Sequence, residues 1–190
     1  MKKRIVIAIA MLVIGSAMMA CSTSTITDAE RELLVTIKDL EIYDVAIPDS
    51  STGETFLVTK NLDGSREIRY EFDAGKIPNS TDHTFIISRV EIHPGIPEAQ
   101  DAFDEIISGI NLGGFLGSGK GKINEDTSLF VWGDENYGAY LEKDSRRLGN
   151  IIVTRTGDTI FDLTIVGLYF DDPQLLHDLL IPKLEMAAER

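Results

Sequence analysis

Cys21 is the only cysteine in a chain of 190 residues, and a thiol is the readiest nucleophile a side chain can offer. Its position argues for a processing reaction rather than catalysis. It stands behind Met1-Lys2-Lys3-Arg4, an apolar run from Ile5 to Ile14, and Gly15-Ser16-Ala17-Met18-Met19-Ala20. A cationic start, an apolar stretch of about ten residues and small residues before a cleavage point make a secretory signal, whereas a membrane span needs about 20 apolar residues. A second chemical pattern is Gly114-Phe115-Leu116-Gly117-Ser118-Gly119-Lys120. It copies most of a phosphate-binding loop, in which successive amides cradle phosphates and the lysine neutralises them. Gly121 follows where a Ser or Thr must hold magnesium, and a helix rather than a strand is expected before the loop, so the stretch reads as a flexible connection.

The residues from Gly15 to Cys21 resemble the lipobox of bacterial lipoproteins, over about the first 22 residues. Ala20 and Cys21 fit that pattern; Met18 stands where the family usually has Leu or another branched apolar residue, and Met19 where a small residue is usual. The resemblance implies that the leader is cut before Cys21, that the sulfur carries a diacylglyceryl group and that the new amino terminus is acylated as well. The alternative is an ordinary secretory signal cut nearby, which leaves a free thiol. Ser22, rather than Asp, follows the cysteine. In Gram-negative members this permits transfer to the outer membrane; otherwise the anchor lies on the outer face of the cell membrane. The implied division is a signal peptide over 1–20, a lipidated tether over 21–27 and one domain over 28–190.

Other chemistry-bearing residues are scattered. His83, His93 and His177 show no metal-ligand spacing and read as three surface histidines. Asp171-Asp172 and Asp134-Glu135-Asn136 could supply hard oxygen ligands, but neither has the regular Asp/Asn spacing of a calcium loop; a helix cap and a turn account for them. With Cys21 acylated there is no free thiol, and neither a Gly-x-Ser-x-Gly elbow nor a His-Glu-x-x-His motif occurs. No catalytic residue, metal or cofactor is expected. Trp132, Tyr137, Tyr140, Arg146 and Arg147 fall in one strand-turn-strand region. Aromatic and arginine side chains are enriched at binding hot spots, so these five are candidate partner-binding residues, together with the neighbouring glycine-rich loop. The simpler alternative makes Trp132 core and the arginines turn residues.

Removing residues 1–20 takes away Lys2, Lys3 and Arg4 and leaves 15 basic against 31 acidic side chains, a formal charge of −16. Such a surface repels nucleic acid and anionic headgroups. The body is therefore expected to hang from its lipid rather than lie on the bilayer. Stability must come from packing, because an acylated Cys21 leaves no disulfide.

The elements that must position these residues follow from pattern. Thr27-Asp28-Ala29-Glu30 reads as a capping box opening a helix whose face carries Ala29, Leu33, Ile37 and Leu40, although Val35-Thr36-Ile37 also suits a strand. Glu54 to Leu62 and Ser65 to Ala74 form a hairpin about Asp63-Gly64, with Ile68, Tyr70 and Phe72 alternating against Glu67, Arg69, Glu71 and Asp73. A strand from Thr84 to Ile92 is stopped by His93-Pro94-Gly95-Ile96-Pro97. An amphipathic helix runs from Glu98 to about Gly109, and a loose glycine-rich connection covers Asn111 to Asp126. Strands are expected at Ser128–Trp132, Tyr137–Lys143, Asn150–Thr156 and Thr159–Val166, the last two joined at Gly157-Asp158. Their register sets Arg155 and Asp162 on one outward face, able to pair. Asp171-Asp172-Pro173 starts a final helix with Leu176, Leu180 and Leu184 as its ridge and a kink at Pro182.

Hairpins dominate this order, so the expected fold is α+β: a largely antiparallel sheet of six to seven strands with helices packed on it. The two halves, each a set of strands followed by a helix, suggest a repeat that no residue alignment supports. The closing hairpin followed by a terminal helix resembles the PsbP family of photosystem II extrinsic subunits and their relatives; this implies a layered sheet with helices on both faces and transfers no functional residue. The expected function is that of a lipid-anchored envelope lipoprotein, a non-enzymatic interaction module contacting a protein, glycan or small ligand but no nucleic acid. The alternatives are a small-ligand-binding lipoprotein and an envelope hydrolase assembled from distant residues.

Overall fold

The computed structural model describes residues 26–41, 53–76, 83–112 and 121–189. The chain runs α1 (Asp28–Arg31), α2 (Ile37–Glu41), β1 (Glu54–Lys60), β2 (Arg66–Lys76), β3 (His83–Ile92), α3 (Ile96–Leu112), β4 (Gly121–Glu125), β5 (Glu135–Lys143), β6 (Arg146–Thr156), β7 (Thr159–Val166) and α4 (Pro173–Ala188). The strands form one seven-stranded sheet in the order β1-β2-β3-β7-β6-β5-β4, antiparallel at every pairing. Two meanders, β1–β3 and β4–β7, thus join through their last strands, with Phe85 opposite Val166 and Ile92 opposite Thr159. The α+β fold expected from the sequence is the one observed.

Strand alternation sends side chains to two different layers. On one face Ile68, Tyr70, Phe72, Ile86, Val90, Ile152, Phe161, Leu163 and Ile165 pack against Leu176, Leu180 and Leu184 of α4 and against the N-terminal segment. On the other, Tyr137, Ala139, Leu141, Ile151, Val153 and Ile160 meet Ala99 and Phe103 of α3. Burying a large apolar side chain contributes about 1.5–3 kcal/mol, and these two cores are what hold the domain.

The segment after α1 departs from the expected continuous helix. The capping box is present: Thr27 Oγ1 accepts from Glu30 N at 3.2 Å, and Thr27 N donates to Glu30 Oε2 at 2.8 Å. The helix nevertheless stops after one turn. Leu33, Leu34 and Val35 are all buried, and three consecutive residues cannot share one face of a helix with 3.6 residues per turn. The sheet also supplies acceptors that draw the backbone out. Val35 N donates to Ser88 Oγ at 2.9 Å and Ile37 N to Tyr70 Oη at 3.1 Å.

Other differences have local causes. The first hairpin closes over Asn61–Ser65, where Asn61 N donates to Ser65 O at 2.9 Å and Gly64 takes φ +91°. A two-residue turn at Asp63-Gly64 is therefore replaced by a longer loop. Residues 128–132 form no strand; Phe130 instead dips fully into the core. The extra strand is β4, inside the stretch expected to be a loose connection. Asp144 and Ser145 both sit at positive φ, 51° and 62°, the geometry of a type I′ hairpin. At the start of α4, Asp172 Oδ1 accepts from Gln174 N at 2.9 Å, and Pro182 lies inside the helix.

Arg155 and Asp162 are both buried beneath the α3 layer rather than facing outward, and they do not pair with each other. Arg155 bonds Glu135 and reaches Asp134 at 3.4 Å. Asp162 accepts from Arg89 Nη2 at 2.7 Å, and Arg89 Nη1 also pairs with Glu91 at 2.9 Å. Burial raises the Asp162 carboxyl above its ordinary value, with Arg89 opposing the shift; Glu67, beside Arg89, is raised for the same first reason. The folded chain therefore holds these protons to higher pH than the unfolded chain does. Their contribution to stability is complete below the ordinary values of 3.8 and 4.5 and is lost as pH rises through the raised folded values. Asp162→Asn should remove its share of that slope. Thermal midpoints followed from about pH 4 to 7 are expected to show wild type losing ground to the variant as pH rises, and parallel curves would refute the assignment.

Candidate functional site

A partly exposed cluster of binding chemistry is built where β6 carries a bulge. Leu141 pairs with Gly149, but the next partner of Glu142 is Arg147, so Leu148 is an extra residue on β6. A bulge of this kind re-aims neighbouring side chains. Leu148 packs toward the α3 core, and Arg147 is turned onto the face that carries Tyr140. The linker between β7 and α4 then brings Tyr169 across. The Arg147 guanidinium lies 4.2 Å from the Tyr140 ring centre and 5.2 Å from that of Tyr169, and it donates to Tyr169 Oη. The two rings are 6.4 Å apart at 71°. Arg147 is exposed while both tyrosines are half-buried.

The bond to Tyr169 raises the Arg147 guanidinium further above its ordinary value. Nearby, Asp126 is lowered, first by its bond from Ser128 Oγ at 2.6 Å and least by the charge of Arg147. The linker itself is stapled to the sheet. Asn150, fully buried on β6, donates to Phe170 O at 3.1 Å and accepts from Phe170 N at 2.8 Å, one residue beyond Tyr169.

Of the five residues picked from the sequence, only Tyr140 and Arg147 meet in this cluster. Tyr137 lies in the α3 core on the opposite side of the sheet, its Oη donating to Asn111 Oδ1 at 3.3 Å, and burial raises its phenol. Trp132 is half-buried against the α4 core, near Thr154, Phe161 and Leu184, and its carbonyl accepts from Thr154 Oγ1 at 2.5 Å. Arg146 is exposed beside the Asp144-Ser145 turn, opposite Lys143. Strand alternation separates Tyr137 from Tyr140, which are three residues apart and so face opposite ways. Tyr169 was not legible, because it reaches Arg147 through a linker that folds back over the sheet.

A second feature is a cleft of about 520 Å³ between the N-terminal segment, β1 and the end of α4, lined by Arg31, Lys38, Asp39, Glu54, Phe56 and Lys183 among others. Several of its charges already hold partners. Arg31 lies 4.6 Å over the Phe56 ring, Lys183 Nζ is 3.1 Å from Asp39 Oδ1, and Lys183 also donates to Glu32 O at 3.3 Å. Tyr70 Oη donates to Glu54 Oε1 at 3.3 Å, and burial pushes its phenol well above the ordinary value of 10.0.

The histidines are not all on the surface. His93 is buried with Nε2 at 3.3 Å from Glu91 Oε2, and His177 is half-buried with its ring 4.8 Å from that of Phe130. The side chain of His83, the glycine-rich stretch Gly114–Lys120 and residues 1–25, Cys21 among them, lie outside the described residues. Among the described residues no three His, Cys, Asp or Glu side chains are grouped to hold a metal, and no helix is long and apolar enough to cross a membrane. No known protein family, curated protein or solved structure matches the chain.

Proposed function

We propose that this chain is a bacterial lipoprotein, anchored at an envelope membrane through acylated Cys21, whose α+β domain is a non-enzymatic interaction module. The proposed contact surface is Tyr140, Arg147 and Tyr169. The observation that carries it is an exposed guanidinium held between two tyrosine rings. The rings limit the rotamers of Arg147, so less entropy remains to be lost on binding, while its planar donors suit a carboxylate. On a body of formal charge −16 outside residues 1–20, the long-range field repels an anionic partner. Recognition then depends on this local cation and its aromatic walls, and the partner is a protein or glycan presenting a carboxylate.

A photoreactive residue placed at Ser145, in the exposed turn beside the cluster, tests this in the native envelope. Adducts are expected with wild-type Arg147 and should fall about thirtyfold with Arg147→Ala, the size of effect that marks a binding hot spot. Arg147→Lys should also lose adducts, because an ammonium does not reproduce the stacked plane. Adducts unchanged by both substitutions would reject the surface.

The cleft favours a second reading, a small-ligand-binding lipoprotein, since 520 Å³ falls in the usual range of about 300–1,000 Å³ for ligand sites. That reading requires saturable thermal stabilisation by a small molecule that Phe56→Ala abolishes and Arg147→Ala leaves intact.

A further inference from the structure

We propose that β1 pairs edge to edge with β1 of a second copy of this chain, making one continuous sheet across a two-fold axis at Leu57. Within the described residues β1 is a terminal strand of the sheet, paired only with β2. Its pairing is regular from Glu54↔Phe72 to Lys60↔Arg66, without a bulge, and Glu54-Thr55-Phe56-Leu57-Val58-Thr59-Lys60 contains neither Pro nor Gly. Such an edge is a template for another strand unless something blunts it.

The direction of its free groups follows from the ladder. Asp73 N donates to Gly53 O at 3.3 Å at one end, and Asn61 N donates to Ser65 O at 2.9 Å at the other. In an antiparallel pair hydrogen-bonded and non-hydrogen-bonded positions alternate. The odd-numbered residues from Gly53 to Asn61 therefore bond inward to β2. Glu54, Phe56, Val58 and Lys60 turn their N–H and C=O groups outward.

The strand is complementary to itself when reversed. With the axis at Leu57, Glu54 lies opposite Lys60 of the second copy, Thr55 opposite Thr59, Phe56 opposite Val58, and Leu57 opposite Leu57. The pairs Glu54–Lys60 and Phe56–Val58 bring together only residues whose backbone groups point outward, so the hydrogen-bond alternation is satisfied through the whole strand. Leu57 falls on the non-hydrogen-bonded position, where Cα atoms approach to about 4.5 Å and side chains stand closest. Among the described residues it is one of five large hydrophobic side chains left exposed, at 42%, and this pairing covers it with its own copy. The charges at the strand ends, one acid and one base, attract in this register and repel in a parallel one. The opposite edge, β4, lacks this property: reversal would set Gly121 against Glu125. The interface is isologous and closes as a dimer.

Full-length protein in detergent is expected to sediment as a dimer. Leu57→Lys places two cations face to face at the axis and should yield monomer with an unchanged circular dichroism spectrum, since Leu57 is not in either core. Glu54→Lys or Lys60→Glu should each weaken dimerisation by about tenfold or more, from two lost attractions and two new repulsions, and the two combined should restore it. Leu57→Cys should give a disulfide-linked dimer under mild oxidation. Thr55→Cys and Thr59→Cys should not link singly, being about 13 Å from their own copies at about 3.4 Å per residue, but should link when combined in one chain. Cys21 is common to all these variants, so it cannot account for differences among them. A monomeric wild type at tens of micromolar, or equal linking through Thr55→Cys and Leu57→Cys, would overturn the proposal.

Discussion

Asn150→Leu should lower the unfolding free energy by about 3–5 kcal/mol, because each buried hydrogen bond removed leaves a polar group short of a partner at about 1–3 kcal/mol. Asn150 has no exposed surface, and its amide makes both a donated and an accepted bond with the Phe170 backbone, at 3.1 and 2.8 Å. Leu has the same branching but a larger volume; it offers neither bond and also crowds a site with no exposed surface. A single domain is stable by about 5–15 kcal/mol, so this substitution removes a large share of the total. Asn150→Asp separates the two bonds. The carboxylate still accepts from Phe170 N but faces Phe170 O with a negative charge, so the variant should be at least as unstable near neutral pH and recover in acid as the carboxyl protonates. The loss reaches the proposed contact surface as well, since Tyr169 is held over Arg147 by the linker that Asn150 pins. Urea midpoints measure the effect, and a change below about 1 kcal/mol, the net value of one ordinary bond, would show that the staple is dispensable.

The sequence displays those elements whose instructions are local. In β2 the alternation of Ile68, Tyr70 and Phe72 with charged residues declares one buried face, and all three are fully buried. β7 carries the same pattern between a Gly-Asp turn and Gly167, and the expected span matches Thr159–Val166. Asp172 with Pro173 marks the start of α4 because a cap acts within one turn. What escapes is whatever depends on a partner distant in the chain. The Thr27 capping box is legible, but the end of its helix is set by Ser88 and Tyr70, which take the amides of Val35 and Ile37. β4 holds a single large apolar residue, Ile123, too little for a period to show. Gly149 looks like any other of the 16 glycines, yet a Cβ there would sit 1.9 Å from Ile165 O. The candidate site suffers most from this: only the bulge at Leu148 decides that Arg147 joins Tyr140, and only the return of the linker adds Tyr169.

Cys21→Ala is expected to move the protein from the membrane to the soluble fraction, or to leave an uncut precursor. Two affinities for the membrane compete. Buried acyl chains contribute about 0.8 kcal/mol per methylene, and one chain alone anchors only marginally while two or three hold firmly. The body has nothing comparable to offer: at a formal charge of −16 outside residues 1–20 it is repelled by anionic headgroups. The five residues Ser22 to Ile26, at about 3.3–3.6 Å each, extend over about 15–20 Å, so the lipid would keep the domain close to a surface it would otherwise leave. Pairing through β1 would set two such anchors on one particle, so Leu57→Lys should make retention more sensitive to the loss of an acyl chain without releasing the protein by itself. Fractionation with intact-mass measurement separates the outcomes. Release together with the loss of the lipid mass fits an acylated thioether at Cys21, whereas unchanged retention and a mass equal to the bare polypeptide would make the leader an ordinary secretory signal and Cys21 a free thiol.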